Sequence, residues 1–223
     1  MTRSACLDQL ATIISTLELD RPTRVAIDGV DGVGKTRLAD ELVTPLAVSG
    51  RQIIRASIDG FHRPRADRYR RGADSPEGYF LDSFDYAALK AELLTPLGPK
   101  GARRFRTAVF DHRADRPVDT VHQVAARDAI LLFDGVFLQR PELADSWDLR
   151  VWVEAPFDVT VPRAIGRDAA GQDEAAIEEK YRRRYVPGQI LYLTQCGPRD
   201  AAHVVVHNAD VDHPLLDYLG HRL

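Results

Sequence analysis

The chain has 223 residues, a length that suits one α/β domain. Hydrophobic residues make up 44% and charged residues 28%, which excludes a disordered or membrane-type composition. The formal net charge of −3 argues against a protein that binds polymeric nucleic acid or an anionic membrane, because such a protein would carry a broad basic excess. We therefore expect a single domain over residues 1–223.

The cysteines and the first residues of the chain indicate a cellular compartment. Cys6 and Cys196 lie far apart and have no CxxC partner, so they predict neither a disulfide framework nor a zinc site. Residues 1–19 contain no continuous apolar stretch of signal-peptide or membrane length. Both features favour the reducing cytoplasm.

The first elements predict a βαβ unit. Leucines and an isoleucine recur at helical spacing before residue 18 and predict a surface helix. An apolar strand at 24–28, a helix at 35–49 that ends at Gly50, and a strand at 52–58 follow. This order is the building block of a parallel sheet.

The middle of the chain has weaker patterns. Residues 59–75 are rich in Arg, Asp and Gly without an apolar period, which predicts a mobile loop or lid over a site. Residues 84–94 read as a helix. The weakly alternating stretches at 103–110 and 120–124 predict an antiparallel pair that forms a small appendage.

The second half predicts a doubly wound sheet. Continuous apolar runs predict strands buried on both faces at 129–133, 149–153 and 203–207. Periodic stretches predict helices at 156–170 and 174–185, and Pro187 should interrupt any continuation of the second helix. The predicted fold is a three-layer α/β sandwich with a central, mostly parallel sheet of about five strands.

One loop indicates the chemistry. It follows the first strand, opens the next helix and matches the pattern G-x-x-x-x-G-K-[ST] with Gly29, Val30, Asp31, Gly32, Val33, Gly34, Lys35 and Thr36. Its glycines permit turns that aim successive N–H groups at phosphate oxygens, and the helix N-terminus adds partial positive charge. Lys35 can reach the β- and γ-phosphates, and the Thr36 hydroxyl can hold Mg²⁺. The alternative is an ordinary Asp-Gly turn.

Two acids follow other predicted strands. Asp59 comes after the second strand, and Asp134 comes after the central apolar strand at 129–133. Ligands of open parallel sheets lie at the carboxyl ends of the strands, so we expect both acids beside the loop. A carboxylate there can take the proton of an attacking hydroxyl or hold the metal ion. We assign Asp59 as the base and Asp134 as the carboxylate on the metal side, against the alternative of two turn-forming Asp-Gly pairs.

In type and order, these motifs resemble those of the phosphoribulokinase and uridine kinase family of P-loop kinases. The resemblance rests on the loop, on 57–62 (SIDGFH), on 133–138 (FDGVFL) and on 163–168 (RAIGRD). It implies a P-loop kinase fold, ATP with Mg²⁺, Asp59 as catalytic base and Asp134 near the metal. It also implies that Arg163 and Arg167, in an Arg-rich lid, contact phosphates. Arginines four residues apart share one helix face, although a solvated arginine face is the simpler alternative.

The acceptor side departs from the family pattern. Uridine kinases usually show a Tyr-Asp-Phe segment followed by His and Arg, whereas residues 109–113 (VFDHR) are shorter and lack the Tyr. A flat ring can still stack among aromatic and basic side chains here. The candidates are Phe61, His62, Tyr79, Phe80, Phe110, His112 and Arg113.

The leading hypothesis is a small-molecule kinase with a nucleoside-like acceptor, in which uridine or cytidine is favoured. Pantothenate, nicotinamide riboside or a nucleoside monophosphate as acceptor stays open, as does an ATP-dependent regulatory module without turnover. A GTPase is disfavoured because the N-K-x-D motif is missing, since Asn208 is the only Asn in the chain. The expected partner is a small molecule, and the sequence leaves open a homo-oligomer, feedback regulation and order in 59–82 and 103–124 without ligand.

Overall fold

The computed structural model describes residues 1–220 and contains a central sheet of six strands. In spatial order these are β10 (Leu215–Tyr218), β9 (Val204–His207), β8 (Leu149–Glu154), β1 (Thr23–Gly29), β7 (Ile130–Gly135) and β2 (Ile53–Ser57). Five strands run parallel, and β10 is antiparallel to β9 at the edge. This arrangement confirms the prediction of a mostly parallel sheet of about five strands.

Helices surround the sheet. They are α1 (Arg3–Ser15), α2 (Lys35–Glu41), α3 (Val43–Ala47), α4 (Arg65–Arg68), α5 (Pro76–Asp82), α6 (Tyr86–Leu89), α7 (Phe157–Asp168), α8 (Glu174–Lys180), α9 (Val186–Cys196) and α10 (Pro198–Ala201). Every residue of β1 and β7 is buried, so both faces of the sheet centre are covered. The apolar runs that predicted these strands thus form the centre of the core.

The predicted helix at 35–49 forms as two short helices. Pro45 lies within α3 and has no N–H to donate to the carbonyl of Glu41, where α2 ends. Leu42 joins the two helices in helical conformation. Gly50 follows α3 with a φ of 71°, as the predicted stop requires.

The prediction that Pro187 interrupts the helix after 174–185 is wrong. α8 continues through a π-helical turn, Tyr181–Tyr185, directly into α9. The π-helical turn changes the hydrogen-bond register, so Pro187 falls in the first turn of α9, where a missing N–H costs little. The result is one long helical rod from 174 to 196.

The middle segments contain more regular structure than their patterns predicted. α4 lies within the predicted lid at 59–75, and a 3₁₀ turn (Ile58–Phe61) overlaps its start. The buried guanidinium of Arg184 donates to four carbonyls of this segment, those of Arg68, Gly72, Ala73 and Ser75. The predicted antiparallel pair forms between β3 (Arg104–Phe105) and β6 (Gln123–Val124). A hairpin of β4 (Phe110–Asp111) and β5 (Arg116–Pro117) lies between them and was not predicted.

Within residues 1–220, no helix has the length and apolar character needed to cross a bilayer.

Candidate active site

A cleft of about 1060 Å³ opens at the carboxyl ends of the parallel strands. It is the place where ligands bind to open α/β sheets. Thirteen of the predicted site residues line it: Asp31, Gly32, Gly34, Lys35, Thr36, Asp59, His62, Tyr79, His112, Arg113, Asp134, Arg163 and Arg167. Residues from the ends of three neighbouring strands therefore meet around one cavity.

The phosphate loop, residues 29–36, is shaped by close contacts to its glycines. A Cβ on Gly32, whose φ is 74°, would collide with the carbonyl oxygen of Thr160 in α7. A Cβ on Gly29 would collide with the carbonyl oxygen of Val153 in β8. Gly34 has a φ of 96°, and its Cβ would lie 2.8 Å from Nδ2 of Asn208. The glycines are thus required by backbone approach, while Val30 and Val33 face the core.

Lys35 is held inside this loop. Its ammonium donates to the carbonyl oxygen of Val30 at 2.8 Å, and the residue is 8% exposed. Burial lowers the pKa of Lys35, while the negative charges of Asp31 and Asp28 oppose the shift. The residue lines the cleft, and the charges of Asp31, Asp28 and Asp134 all act on its ammonium.

Thr36 connects the loop to the second acid. Its hydroxyl donates to Oδ2 of Asp134 at 2.7 Å, and Asp134 is 2% exposed. The other oxygen, Oδ1, accepts from Arg55 Nη2 at 2.9 Å. Sequence reasoning did not select Arg55, because a single Arg within a strand carries no motif. Its contact fixes the orientation of the Asp134 carboxylate.

The oxygen atoms of Thr36 and Asp134 form a donor set that fits Mg²⁺. Mg²⁺ prefers hard oxygen ligands and is usually held by one or two protein groups, with water and phosphate oxygens completing the octahedron. Among residues 1–220 there is no cluster of three or more His, Cys, Asp or Glu side chains that would hold a metal alone. The residues present therefore suit a metal that arrives with a nucleotide.

Asp59 lines the cleft from the 3₁₀ turn that follows β2. Its side chain is 64% exposed, so the carboxylate can be reached from the cavity. The surrounding cleft walls desolvate the acid and raise the pKa of Asp59, and the charge of His112 opposes the rise. A carboxylate beside a phosphate site, with an open face, can accept a proton from a bound hydroxyl.

Asp31 is tied to two neighbouring helices. Its carboxylate accepts from the Tyr79 hydroxyl at 2.9 Å and from Gln189 Nε2 at 3.2 Å. Its backbone N–H donates to Gln189 Oε1 at 2.7 Å. Burial raises the pKa of Asp31, and Lys35 lowers it. Gln189 was not selected from the sequence, and the only signal for it was its place just after Pro187-Gly188.

Another buried acid, Asp28, lies directly before the loop, and the sequence-based site prediction did not include it. Its carboxylate accepts from the Tyr192 hydroxyl and from the N–H of Gly29, the latter at 2.8 Å. Burial raises the pKa of Asp28 to about 6, and the bond from Tyr192 opposes the rise. The signal in the sequence was an acid inside an otherwise apolar strand, which burial makes costly.

The two lid arginines lie on α7, as predicted, and both line the cleft. Arg163 donates to the carbonyl oxygens of Asn208 and Ala209, at 3.2 and 2.7 Å. Arg167 pairs with Asp168 at 2.7 Å, and its side chain is 61% exposed. Contact with phosphate stays a prediction for both residues, although their guanidinium groups border the cavity.

On the predicted acceptor side, aromatic rings are stacked on one another. His62 lies between Phe84 and His112, with ring centroids 4.6 Å apart in each pair. Desolvation lowers the pKa of His62 to about 3, so the ring is neutral near pH 7. His112 and Arg113 come from the turn of the unpredicted hairpin and also line the cleft.

Three predicted acceptor residues do not line the cleft, which corrects the sequence-based set. Phe61, Phe80 and Phe110 are 0%, 4% and 7% exposed. Phe61 packs on Phe133, and Phe80 packs on Phe137. Burial of their large apolar area stabilises the fold, so these rings pack inside the protein rather than facing the cleft. The aromatic residues that replace them at the cavity are Tyr69, Phe84, Tyr181 and Tyr185.

The sequence is similar to known uridine kinases at low identity. Uridine kinase of Saccharomyces cerevisiae is 25% identical over 175 residues, which cover 77% of this chain and 34% of that enzyme. The chain therefore aligns with about a third of this relative. No family model matches the chain.

Solved structures share the fold. A possible uridine kinase from Bacillus stearothermophilus superposes with a TM-score of 0.71 at 23% identity, covering 89% of this chain and 96% of that one. D-glycerate 3-kinase from Cryptococcus neoformans superposes with a TM-score of 0.63 at 12% identity, covering 97% and 98%. The resemblance to the phosphoribulokinase and uridine kinase family of P-loop kinases is thus confirmed. The similarity supports a small-molecule kinase and leaves its acceptor open.

Proposed function

We propose that residues 1–223 act as one kinase domain that transfers the γ-phosphoryl group of ATP to a hydroxyl of a nucleoside-like molecule, with uridine and cytidine favoured. One observation carries the proposal: a phosphate loop and two acids from neighbouring strand ends converge on a single cleft. Pantothenate and nicotinamide riboside are alternative acceptors, because the acceptor side departs from the uridine kinase pattern at 109–113.

The loop and its neighbours would bind the triphosphate. Backbone N–H groups of residues 32–36 would hold the β- and γ-phosphates, and Lys35 would leave the Val30 carbonyl for a phosphate oxygen. Thr36 and Asp134 would hold Mg²⁺, which supplies charge neutralisation to the phosphates. Arg163 and Arg167 would approach the same phosphates from α7 and stabilise the charge of the transferred group.

Asp59 would act on the acceptor. Its open carboxylate would orient the attacking hydroxyl and take its proton. Because burial raises the pKa of Asp59, its ionised form is a stronger base than that of an ordinary aspartate. The stacked His62 and His112 would form one side of the acceptor pocket.

An ADP-release assay with ATP and Mg²⁺ tests the acceptor class. Uridine, cytidine, pantothenate, nicotinamide riboside and a nucleoside monophosphate are compared at matched concentrations. We expect the highest kcat/KM with a free nucleoside hydroxyl. Turnover with none of these acceptors would remove the proposed substrate class, and turnover only with the monophosphate would reassign the enzyme.

The substitution Asp59→Asn separates a kinase from a regulatory module. A kinase should lose about 10³-fold in kcat while it retains ATP affinity, since general base catalysis contributes 10²- to 10⁴-fold. Asp67→Asn in α4 is the matched control, because it removes an acid from the same segment outside the cleft lining. Unchanged turnover in Asp59→Asn would contradict the assigned base.

A further inference from the structure

A second cavity lies near the amino-terminal ends of the central strands, opposite to the phosphate loop. Its volume is about 240 Å³, and it is lined by Asp20, Arg21, Gly98, Lys100, Gly101, Arg103 and Arg127. Arg21 precedes β1, whereas the phosphate loop follows β1. The seven residues of this strand span about 20 Å. We call this second site the basic cavity, and it shares no lining residue with the cleft.

The basic cavity concentrates positive charge in a chain that is acidic overall. Four of its seven lining residues are Lys or Arg. A further cation, the buried Arg24, lies beneath it, since a Cβ on Gly98 would be 2.9 Å from Arg24 Nη1. Arg21 and Arg24 share one carboxylate, that of Asp148. Cations therefore outnumber acids at this site, which attracts anions.

Two of these cations have no acidic partner within residues 1–220. Arg103 Nη1 donates to the carbonyl oxygen of Ala125 at 3.1 Å, and this neutral group does not cancel its charge. The ammonium of Lys100 makes no hydrogen bond or ion pair with the described part of the chain. Arg127, by contrast, pairs with Asp20. Lys100 and Arg103 thus keep donors available for a ligand.

The backbone at these two residues is strained. Lys100 and Arg103 have φ values of 60° and 59°, and only four non-glycine residues among 1–220 have a positive φ. A closed loop enforces this geometry, because Arg103 N–H donates to the Pro96 carbonyl at 2.9 Å and Gly101 N–H donates to the Gly98 carbonyl at 3.0 Å. Strain of this kind is retained where it preorganises a site.

We propose that the basic cavity binds a dianionic phosphate group, either inorganic phosphate or the phosphomonoester of a small metabolite. Lys100 and Arg103 both line this cavity, and an ammonium or a guanidinium can each form charge-assisted hydrogen bonds to phosphate oxygens. The volume suits a phosphate with few attached atoms, since it lies below the range of pockets for drug-sized ligands. A ligand here would act at a distance from the transferred phosphoryl group.

Amide NMR of the full chain tests the site residue by residue. Inorganic phosphate is titrated at constant ionic strength, with chloride as the balancing salt, so that general screening stays fixed. We expect the amides of Gly98, Gly101 and Arg103 to shift and to saturate. The amides of Gly32 and Gly34 report separately on phosphate bound to the phosphate loop. No saturable shift at 98–103, or the same shift with chloride alone, would overturn the proposal.

Lys100→Gly distinguishes binding from folding. Glycine accepts a positive φ, so the variant should melt at the same or a higher temperature while it loses one phosphate contact. We expect its dissociation constant for phosphate at the basic cavity to rise about ten-fold, equal to about 1.4 kcal/mol. Shifts at Gly32 and Gly34 should be unchanged, which keeps this outcome separate from the proposed kinase function. An unchanged affinity at 98–103 would contradict the assignment.

A control and a second ligand complete the experiment. Arg116→Gln removes an exposed charge from β5, outside both cavities, and should leave every titration unchanged. Loss of binding in this control would indicate a net-charge effect and would overturn the site. Ribose 5-phosphate is titrated in parallel. Tighter binding than inorganic phosphate would assign a phosphomonoester as the ligand, and weaker binding would assign the free anion.

Discussion

The two ends of the cleft are held in different ways. At the phosphate-loop end, backbone contacts to Gly29 and Gly32 fix the chain, and Thr36 is bonded to Asp134. At the acceptor end, the rings of His62 and His112 rest on each other, and Asp59 has an open carboxylate. The first end depends on main-chain geometry and the second on side-chain packing.

This difference determines how strictly each end of the cleft selects the group that it can hold. A loop that requires glycine at set positions presents its backbone N–H groups in one fixed geometry, which suits a phosphate group. A wall of stacked rings tolerates exchange of its members, because apolar and aromatic packing is less directional than hydrogen bonding. We therefore expect substitutions at the loop to affect nucleotide use strongly and substitutions at the rings to affect acceptor use mildly.

The largest effect is expected from Gly32→Ala. The new Cβ would meet the Thr160 carbonyl and would sit on a residue with a φ of 74°, so the loop must shift. A displacement of about 1 Å at a reacting centre can cost about 100-fold, and we expect that loss in kcat/KM for ATP. The matched control is Gly166→Ala in α7, where a Cβ meets nothing within 4 Å. Equal ATP kinetics in the two variants would show that the loop does not depend on its backbone.

Thr36→Val tests the metal contact at the same end. Valine keeps the shape but removes the hydroxyl that donates to Asp134, so we expect the Mg²⁺ concentration at half-maximal activity to rise about ten-fold. Thr36→Ser retains the hydroxyl and should restore the original requirement. If serine and valine behave alike, the hydroxyl has no role in holding the metal.

His112→Ala tests the acceptor end through the pH profile. The charge of His112 lowers the pKa of Asp59, so its removal should raise that pKa. A base works only when it is deprotonated, and the acid limb of kcat/KM should therefore move to higher pH. We also expect a modest rise in KM for the acceptor with KM for ATP unchanged. An acid limb at the original pH would separate His112 from Asp59.

Beneath the loop, Asp28 is expected to affect stability rather than turnover. Because its pKa is raised to about 6 by burial, the native state holds this proton more tightly than the unfolded chain does. The free energy of unfolding of the wild type should therefore fall as the pH rises from about 4 to about 6, and it should stay at the lower value above that window. Asp28→Asn should lack this pH dependence, so the denaturation midpoint of the variant should rise relative to the wild type between pH 4 and about pH 6 and then stay higher. Asp67→Asn should show no such trend.

The sequence predicted the phosphate-loop end well for a physical reason. Local backbone requirements leave a local signature, so the glycine pattern and its flanking elements located the loop and Thr36. The apolar strand at 129–133 located Asp134. The aromatic residues carried no such signature. Phe61, Phe80 and Phe110 looked like pocket residues but pack in the core, because the chain alone does not say which side of a ring faces water.

Hydrogen-bond partners from distant segments of the chain could not be predicted from the sequence either. Gln189 meets Asp31 across 158 residues, and the contact depends on where the rod from 174 to 196 passes the loop. A rule that treats Pro187 as a helix breaker misplaced this rod, because the π-helical turn before it was not encoded in the apolar period.

The helical rod through Pro187 makes contacts with several separate parts of the cleft wall. In its first half, the Tyr181 hydroxyl donates a hydrogen bond to Asp168, the neighbour of Arg167. At its middle, the Arg184 guanidinium donates to backbone carbonyls of the segment at 68–75. Farther along, Gln189 Oε1 accepts a hydrogen bond from the backbone N–H of Asp31 in the phosphate loop. Because one helical rod makes all three contacts, a tilt of the rod would move the end of α7, the segment at 68–75 and the phosphate loop together.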